Sequence, residues 1–364
     1  MHATQRKIRK LVIFLLIMML CLTGCQTGET SSGSENEETE NIVESNEEKV
    51  EEAVSVDENG ELTLKDTSPV YDRSKTKDEM AVYYMSADAI YEYDVTTQYF
   101  GDSTLIIAPD GTTMLIDIMH PAGAAEIVET IEALGVDTID YLVFSHQHSD
   151  HIGGYINLFR DIEVKQVYCN DFDYTSSYIW RGLVREIEKR DIPMTYLYEG
   201  DQFSFGGIDV EVFHPYKGYE YTTSGDDMNN SSVVMKMTYG ESTFMFGGDI
   251  QTEVEPELIN EYGDRLKADI CKTNHHGNEN ANSKEWIQTV SPKLAITEMS
   301  VIQSDRIMGR YALVGATTLC TGNNGTIVVW TSGDGEYDVQ VQDAMWGTYT
   351  NLPEGEKNGH FVIK

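Results

Sequence analysis

The sequence predicts a layered α/β domain with mixed sheets, and three observations predict it. Some β-rich runs are joined by tight turns, which makes antiparallel pairs. Other β-rich runs alternate with helical periods, which makes strand–helix units. The 364 residues are 40% hydrophobic and 10% aromatic, enough for a real core, so a wholly disordered chain is excluded. A length of this order allows one large domain or two ordinary ones. Gly and Pro carry no short period, so collagen-like and low-complexity architectures are excluded too.

The elements follow in order. Residues 101–108 and 113–117 are β-rich, and Pro109-Asp110-Gly111 between them reads as a hairpin turn. Residues 124–134 place Ile127, Ile131 and Leu134 at helical spacing, and Gly135 stops the helix. Residues 139–144 read as a buried strand that runs into a His-rich loop. Further strands are predicted at 164–169, 208–213, 232–239, 243–246, 268–273, 294–298, 326–330 and 337–341. Helices are predicted at 177–189, 252–261 and 283–290.

The N-terminus has a different character. Arg6, Lys7, Arg9 and Lys10 precede an apolar run of 12 residues, Leu11 to Leu22. A spanning helix needs about 20 residues, so this pattern is a secretory signal rather than a membrane span. The run ends Leu22-Thr23-Gly24-Cys25, which resembles the bacterial lipobox. That resemblance implies removal of residues 1–24, lipidation (palmitate) at Cys25 and a lipoprotein held at the extracellular face of the membrane. Residues 25–80 are polar, acidic and aperiodic, and read as a disordered tether. The folded domain is expected over 81–345, with a tail or small cap at 346–364. Cys169, Cys271 and Cys320 are expected as buried small hydrophobes, not as a disulfide framework.

Net charge is −35 for the whole chain. The tether carries 17 acids against 5 basic residues, so its −12 says nothing about the folded part. Once the leader is set aside, −27 remains on residues 81–364. Such a surface repels extended phosphate backbones, so nucleic acid is an unfavourable partner. Bound cations could still reverse the sign locally around a single phosphodiester.

The central feature is His146-Gln147-His148-Ser149-Asp150-His151. His146 and His148 are two apart and point to one side of an extended segment. Asp150 and His151 sit at a turn into a helix and face elsewhere, so one segment can serve two adjacent ions. Imidazole and carboxylate suit zinc, or less often manganese or iron.

This pattern looks like the signature of the metallo-β-lactamase superfamily, and further matches extend the resemblance over most of residues 95–345. Thr113-Met114-Leu115-Ile116-Asp117 resembles the strand ending in the family's first Asp. Phe244-Met245-Phe246-Gly247-Gly248-Asp249 resembles the strand whose Asp bridges both ions. Lys272-Thr273-Asn274-His275-His276-Gly277 resembles the late His-His-Gly loop. Together with His214-Pro215 and Asn229-Asn230-Ser231, these runs are similar to the hydrolase-like domain of ComEC-type competence proteins and to cell-surface phosphorylcholine esterases.

The resemblance implies an αββα sandwich and two divalent ions, zinc or alternatively manganese. The ligands would be His146, His148, Asp150, His151, Asp249 and His276. Asp117 would orient a ligand His and His275 would face the substrate or act as general acid, so Asp117, Asp150 and His275 form the expected catalytic group. His214 is expected to be structural. A metal-activated hydroxide would attack a small phosphodiester, such as a cell-envelope component. The metal chemistry alone equally allows a lactone or β-lactam carbonyl.

Two departures bear on this. Asn229-Asn230-Ser231 holds the seat where many members carry a further His. The ion at His146 and His148 is then under-coordinated or completed by water, unless Asn230 binds substrate instead. After His-His-Gly, where ComEC-type chains typically continue with Ser and a Lys, Asn278-Glu279-Asn280 puts a negative charge in place of a positive one, which weakens the case for a DNA substrate. Two other functions stay open: a surface binding module on the same fold, and an extracellular nuclease linked to DNA uptake.

Overall fold

A computed structural model describes residues 54–56, 62–64, 68–75, 78–87, 101–219, 225–299, 304–347 and 349–364. The leader and Cys25 lie outside the described residues. The chain divides into two compact units, Met1–Tyr71 and Asp72–Lys364. In the first, strands β1 (Val54–Val56) and β2 (Leu62–Leu64) pair antiparallel, followed by a 3-10 turn at Pro69–Tyr71. This pairing falls inside the segment read as disordered. The short Val-Ser-Val and Leu-Thr-Leu runs alternate apolar and polar residues, the strand period, on a scale the surrounding acidic composition hides.

The second unit contains two large sheets. Its strands are β3 (Met80–Tyr84), β4 (Thr104–Ile107), β5 (Thr113–Ile116), β6 (Thr138–Ile139), β7 (Tyr141–Val143), β8 (Glu163–Val164), β9 (Val167–Cys169) and β10 (Met194–Tyr196). They continue with β11 (Gln202–Phe205), β12 (Ile208–His214), β13 (Val234–Tyr239), β14 (Ser242–Phe246), β15 (Ile270–Lys272), β16 (Leu294–Thr297), β17 (Thr317–Cys320), β18 (Ile327–Thr331), β19 (Tyr337–Val341) and β20 (His360–Ile363). One sheet has the order β10-β9-β7-β5-β4-β3-β18-β19-β20, and the other β11-β12-β13-β14-β15-β16-β17. Both are mixed. The first is parallel from β10 to β5 and antiparallel beyond. The second is antiparallel from β11 to β14 and parallel beyond.

Side-chain parity builds the layers. Phe244 and Phe246 of β14 join Ile106, Met114 and Ile116 in the core between the sheets. Met245 points the other way, into a second core with Trp286, Ile287 and Tyr311 of the covering helices. Helices Ala124–Ala133, Tyr155–Asp161 and Tyr178–Lys189 serve the parallel crossovers of the first sheet and bury Ile127, Ile131, Leu158 and Leu183. The result is the αββα sandwich. Ser177 caps its helix by accepting the Trp180 N–H, and Ser283 does the same for Trp286. Each cap contributes about 1 kcal/mol.

Several elements differ from the sequence expectation. The run 139–144 is broken at Asp140, because its carboxylate accepts the Thr113 N–H and pairs with Lys165 instead of continuing a ladder. Likewise 164–169 divides into β8, which pairs with β6, and β9, which joins the large sheet. β3, β10, β11, β17 and β20 were not anticipated. β3 is buried on both faces and therefore shows no alternation. β20 lies in the C-terminal segment and pairs with β19. Cys169, Cys271 and Cys320 are buried and free. Among the described residues no helix is long and apolar enough to cross a membrane.

Candidate metal centre

The cluster forms where both sheets change from antiparallel to parallel, outside the carboxyl ends of the strands. Open α/β sheets bind ligands in the crevice outside the carboxyl ends of their strands. β5 delivers Asp117, β7 leads into Ser145–His151, β14 delivers Asp249 and β15 leads to His275 and His276. β4 runs antiparallel to β5, so Asp102 at its start lies beside Asp117 at the other's end. Gly101, with φ 82°, brings the backbone onto Asp150, and the Asp102 N–H donates to the Asp150 carbonyl at 3.2 Å. A Cβ at position 101 would overlap that carbonyl.

One oxygen organises the centre. Asp249 Oδ2 lies 3.2 Å from His151 Nε2, 3.2 Å from His276 Nε2, 3.9 Å from His146 Nε2 and 4.0 Å from His275 Nε2. Asp150 Oδ2 is 3.4 Å from His276 Nε2. Each inner ring is fixed from behind. His151 Nδ1 donates to Asp117 Oδ2 at 2.8 Å, while Asp117 accepts Ser145 N–H at 2.8 Å and its hydroxyl at 2.6 Å. His276 Nδ1 lies 3.0 Å from Asp102 Oδ1 and 3.1 Å from the Glu298 carbonyl. Lys272 shares the inner-face parity of Ile270; it pairs with Asp102 and lies 3.4 Å from Asp249 Oδ1. His146 Nε2 and His148 Nδ1 approach to 2.9 Å. Behind His146 stand only hydroxyls, Ser145 at 3.1 Å and Ser232 at 3.3 Å.

Electrostatics divides the site. Burial disfavours charge on His151 and His276, yet Asp249 and the other surrounding carboxylates override it and hold both well above the ordinary imidazole range. Burial pushes His146 well below that range and lowers His148. Burial opposes the charge of Asp249, but His276, His151 and Lys272 hold it well below the usual carboxylate range. Burial, together with the charge of Asp102, lifts Glu298 to about 8. Four carboxyl groups, Asp102, Asp117, Asp150 and Asp249, thus gather around the ammonium of Lys272 and the two raised imidazoles.

These residues fit divalent cations. His276 Nε2 is buried and makes no hydrogen bond, although two carboxylate oxygens stand within 3.4 Å. The surrounding carboxylates hold a proton on this ring, and a divalent cation between the ring and those oxygens would take that proton's place. Asp102, His151, Asp249 and His276 bring potential ligand atoms within 4.8 Å of one another. Ion pairs to Lys272 and His276 Nδ1 set Asp102 behind the ring, although neither of its oxygens makes a hydrogen bond. That leaves Asp150, His151, Asp249 and His276 around one seat, and His146, His148 and Asp249 around the other.

The structure thus gathers every ligand-type residue expected from the sequence. It places Asp117 behind His151 and keeps His275 partly exposed, with its Nδ1 2.9 Å from Asn280 Oδ1. The His275 Nε2 then accepts from Asn229 Nδ2 at 3.4 Å, so the resting tautomer presents a proton acceptor. Asn229 rather than Asn230 stands at the rings. Asn230 Oδ1 accepts the Gln251 N–H at 2.8 Å and ties two segments together. His214 is buried, with Nδ1 3.0 Å from the Ser232 carbonyl. Asp102, Lys272 and Glu298 were not anticipated; the one sequence signal was Gly-Asp directly before a strand.

Residues 96–297 match the Metallo-beta-lactamase superfamily. The chain belongs to this superfamily. Superfamily members typically bind two metal ions, in keeping with the buried His and Asp cluster. The chain is similar to ComE operon protein 3 of Bacillus subtilis (strain 168), 26% identical over 179 residues, 49% of this chain and 22% of that protein. It is also similar to Competence protein ComA of Neisseria gonorrhoeae, 26% identical over 175 residues, 48% of this chain and 22% of that protein. The chain thus spans about a fifth of the length of these curated relatives. Among solved structures, the metallo-beta-lactamase fold protein YhfI of Bacillus subtilis matches 66% of this chain and 95% of its own, at a TM-score of 0.45 and 13% identity. CmlA, a diiron beta-hydroxylase from Streptomyces venezuelae, matches 60% of this chain and 44% of its own, at a TM-score of 0.39 and 15% identity. Family membership and the cluster together support a metal-dependent hydrolase.

Proposed function

We propose that the protein is a metal-dependent phosphodiesterase acting on a small phosphodiester such as a cell-envelope component. The carrying observation is the single oxygen, Asp249 Oδ2, set among the imidazoles of both seats. A shared carboxylate suits a pair of ions, and paired ions suit in-line displacement at phosphorus. The imidazole and carboxylate donors favour zinc, with manganese as the alternative. When bound, the ions would supply Lewis acidity, lowering the pKa of water and offsetting charge on the phosphoryl oxygens.

The chain's own residues do the rest. Asp117 and Asp102 fix the rings of His151 and His276. Asn280 holds the ring of His275, whose Nε2 takes up a proton and returns it to the leaving oxygen. We also assign the chain to the outer face of the membrane, anchored through Cys25; Cys25→Ala would then move it to the soluble fraction.

The test is a substrate panel on the full chain loaded with zinc or manganese: a chromogenic phosphodiester, a phosphomonoester, a lactone and a β-lactam. Turnover should be fastest on the diester and disappear with chelator. Faster lactone or β-lactam cleavage overturns the substrate class. A second reading, a binding module without turnover, is favoured by Asn229 at the histidine seat. One bound ion or none, with no hydrolysis of any ester, would select it.

A further inference from the structure

Glu255 takes no part in the centre, yet its side chain is completely buried. Its Oε1 accepts from Asn274 Nδ2 at 3.0 Å and from the Asn282 N–H at 2.6 Å. Its Oε2 accepts from the Ser283 N–H at 2.8 Å. Burying a carboxylate is costly unless its oxygens are satisfied, and here three donors satisfy them.

The backbone of Asn274 is held at both of its polar groups, while its Oδ1 is buried without a hydrogen bond. Its N–H donates to Asn282 Oδ1 at 3.0 Å, and its carbonyl accepts from Asn282 Nδ2 at 2.8 Å. Tyr311 anchors Asn282 through its hydroxyl at 2.8 Å. Immediately after Asn274 come His275 and His276, at φ 47° and 52°. Two consecutive left-handed residues with side chains cost roughly 1–2 kcal/mol each. Such a turn persists only where its surroundings over-determine it.

The other face of Asn274 touches the second ligand turn. Its Oδ1 lies where a Cβ of Gly247 would stand, so this side chain can rest on the Gly247 backbone only because residue 247 is glycine. The His275 N–H donates to the Gly248 carbonyl at 3.1 Å. Asn274 is therefore wedged between the turn that carries Asp249 and the turn that carries His276.

We propose that Glu255 and Asn274 form a clamp that sets the separation and orientation of Asp249 and His276, which makes Glu255 and Asn274 positioning residues for cation binding. This rests on the metal-dependent reading above. Glutamine cannot replace Glu255, since its amide would turn an N–H toward a group that is itself a donor.

The experiment uses the full chain as wild type, Glu255→Gln, Asn274→Ala and the remote cap variant Ser177→Ala. Zinc affinity is read by competition with a chromophoric chelator, and stability by urea unfolding of the chelator-treated protein. Clamp variants should lose about 10–100-fold in affinity for the tighter ion. Ser177→Ala should lose stability with zinc affinity unchanged. If Glu255→Gln does not fold, Asn274→Ala decides alone, because it keeps the bonds to Asn282 and Ser283. Wild-type affinity in both clamp variants, or losses that follow stability in all three, overturns the clamp. A wild type that binds neither zinc nor manganese overturns the metal reading itself, and the clamp with it.

Discussion

The two sides of the centre are built on opposite electrostatic plans. Around His151 and His276 stand carboxylates, with Lys272 behind them, and both rings are pushed up toward the charged form. Around His146 and His148 stand hydroxyls and Asn229, and burial pushes both rings toward the neutral form. Even the support follows the plan. His214, which holds the Ser232 carbonyl, is lowered to about 4 by burial. The difference teaches that a pair of seats need not be a pair of equals. The acidic side attracts a cation through several carboxylates, and the neutral side shares only the charge of Asp249 and otherwise offers lone pairs.

The sharpest way to break this contrast is to remove the oxygen both sides share. Asp249→Ala should lose both ions by elemental analysis and bring hydrolysis down to background. Retention of the ion at the acidic side would show that Asp150 and His276 suffice there.

Lys272→Met comes next. It keeps the packing but removes the ammonium from Asp102 and Asp249 and leaves them to the two imidazoles, a loss of about 3–5 kcal/mol in the metal-free protein by urea unfolding. Saturating zinc should recover part of it. An unchanged midpoint would mean that the acidic side is not balanced by Lys272.

The neutral side makes a pH prediction. His214 titrates at about 4 when folded, against 6.5 ordinarily. The unfolded chain therefore binds the proton first, and stability is complete above pH 6.5 and falls as pH drops toward 4. The loss is roughly 3 kcal/mol. His214→Asn keeps a donor for Ser232 and should remove that part of the acid sensitivity. Identical pH profiles for wild type and variant would refute the assignment.

The smallest expected effect sharpens the comparison. Asn229→His would add an imidazole beside His148 and should raise affinity for the second ion roughly tenfold, measured by calorimetry. No change would show that donor number does not limit the neutral side.

Legibility in the sequence follows distance along the chain. His146 through His151 could be read because one loop carries four ligand types. Asp249 and His276 could be read because each ends a recognisable strand with glycines beside it. Asp102 and Lys272 could not, because they meet only when β4 and β15 stand in opposite sheets. Lys272 looks like any strand lysine until Ile270 is known to face the inner core. Asn229 and Asn230 were distinguishable only from the partners each acquires. For the fold, period and turn chemistry marked the half-exposed strands. The fully buried β3 carries no such period, and the edge strand β11 shows it over only four residues.

Gly101 has a consequence for mutational history. Every replacement at this position adds a Cβ where the Asp150 carbonyl stands, and most also strain a backbone at φ 82°. The set of residues on which the centre depends is therefore larger than its set of ionisable groups. A lineage could exchange one ligand for another and keep a weakened site, but it has no intermediate step at Gly101. The residue with the least chemistry is where drift in this chain is most tightly confined.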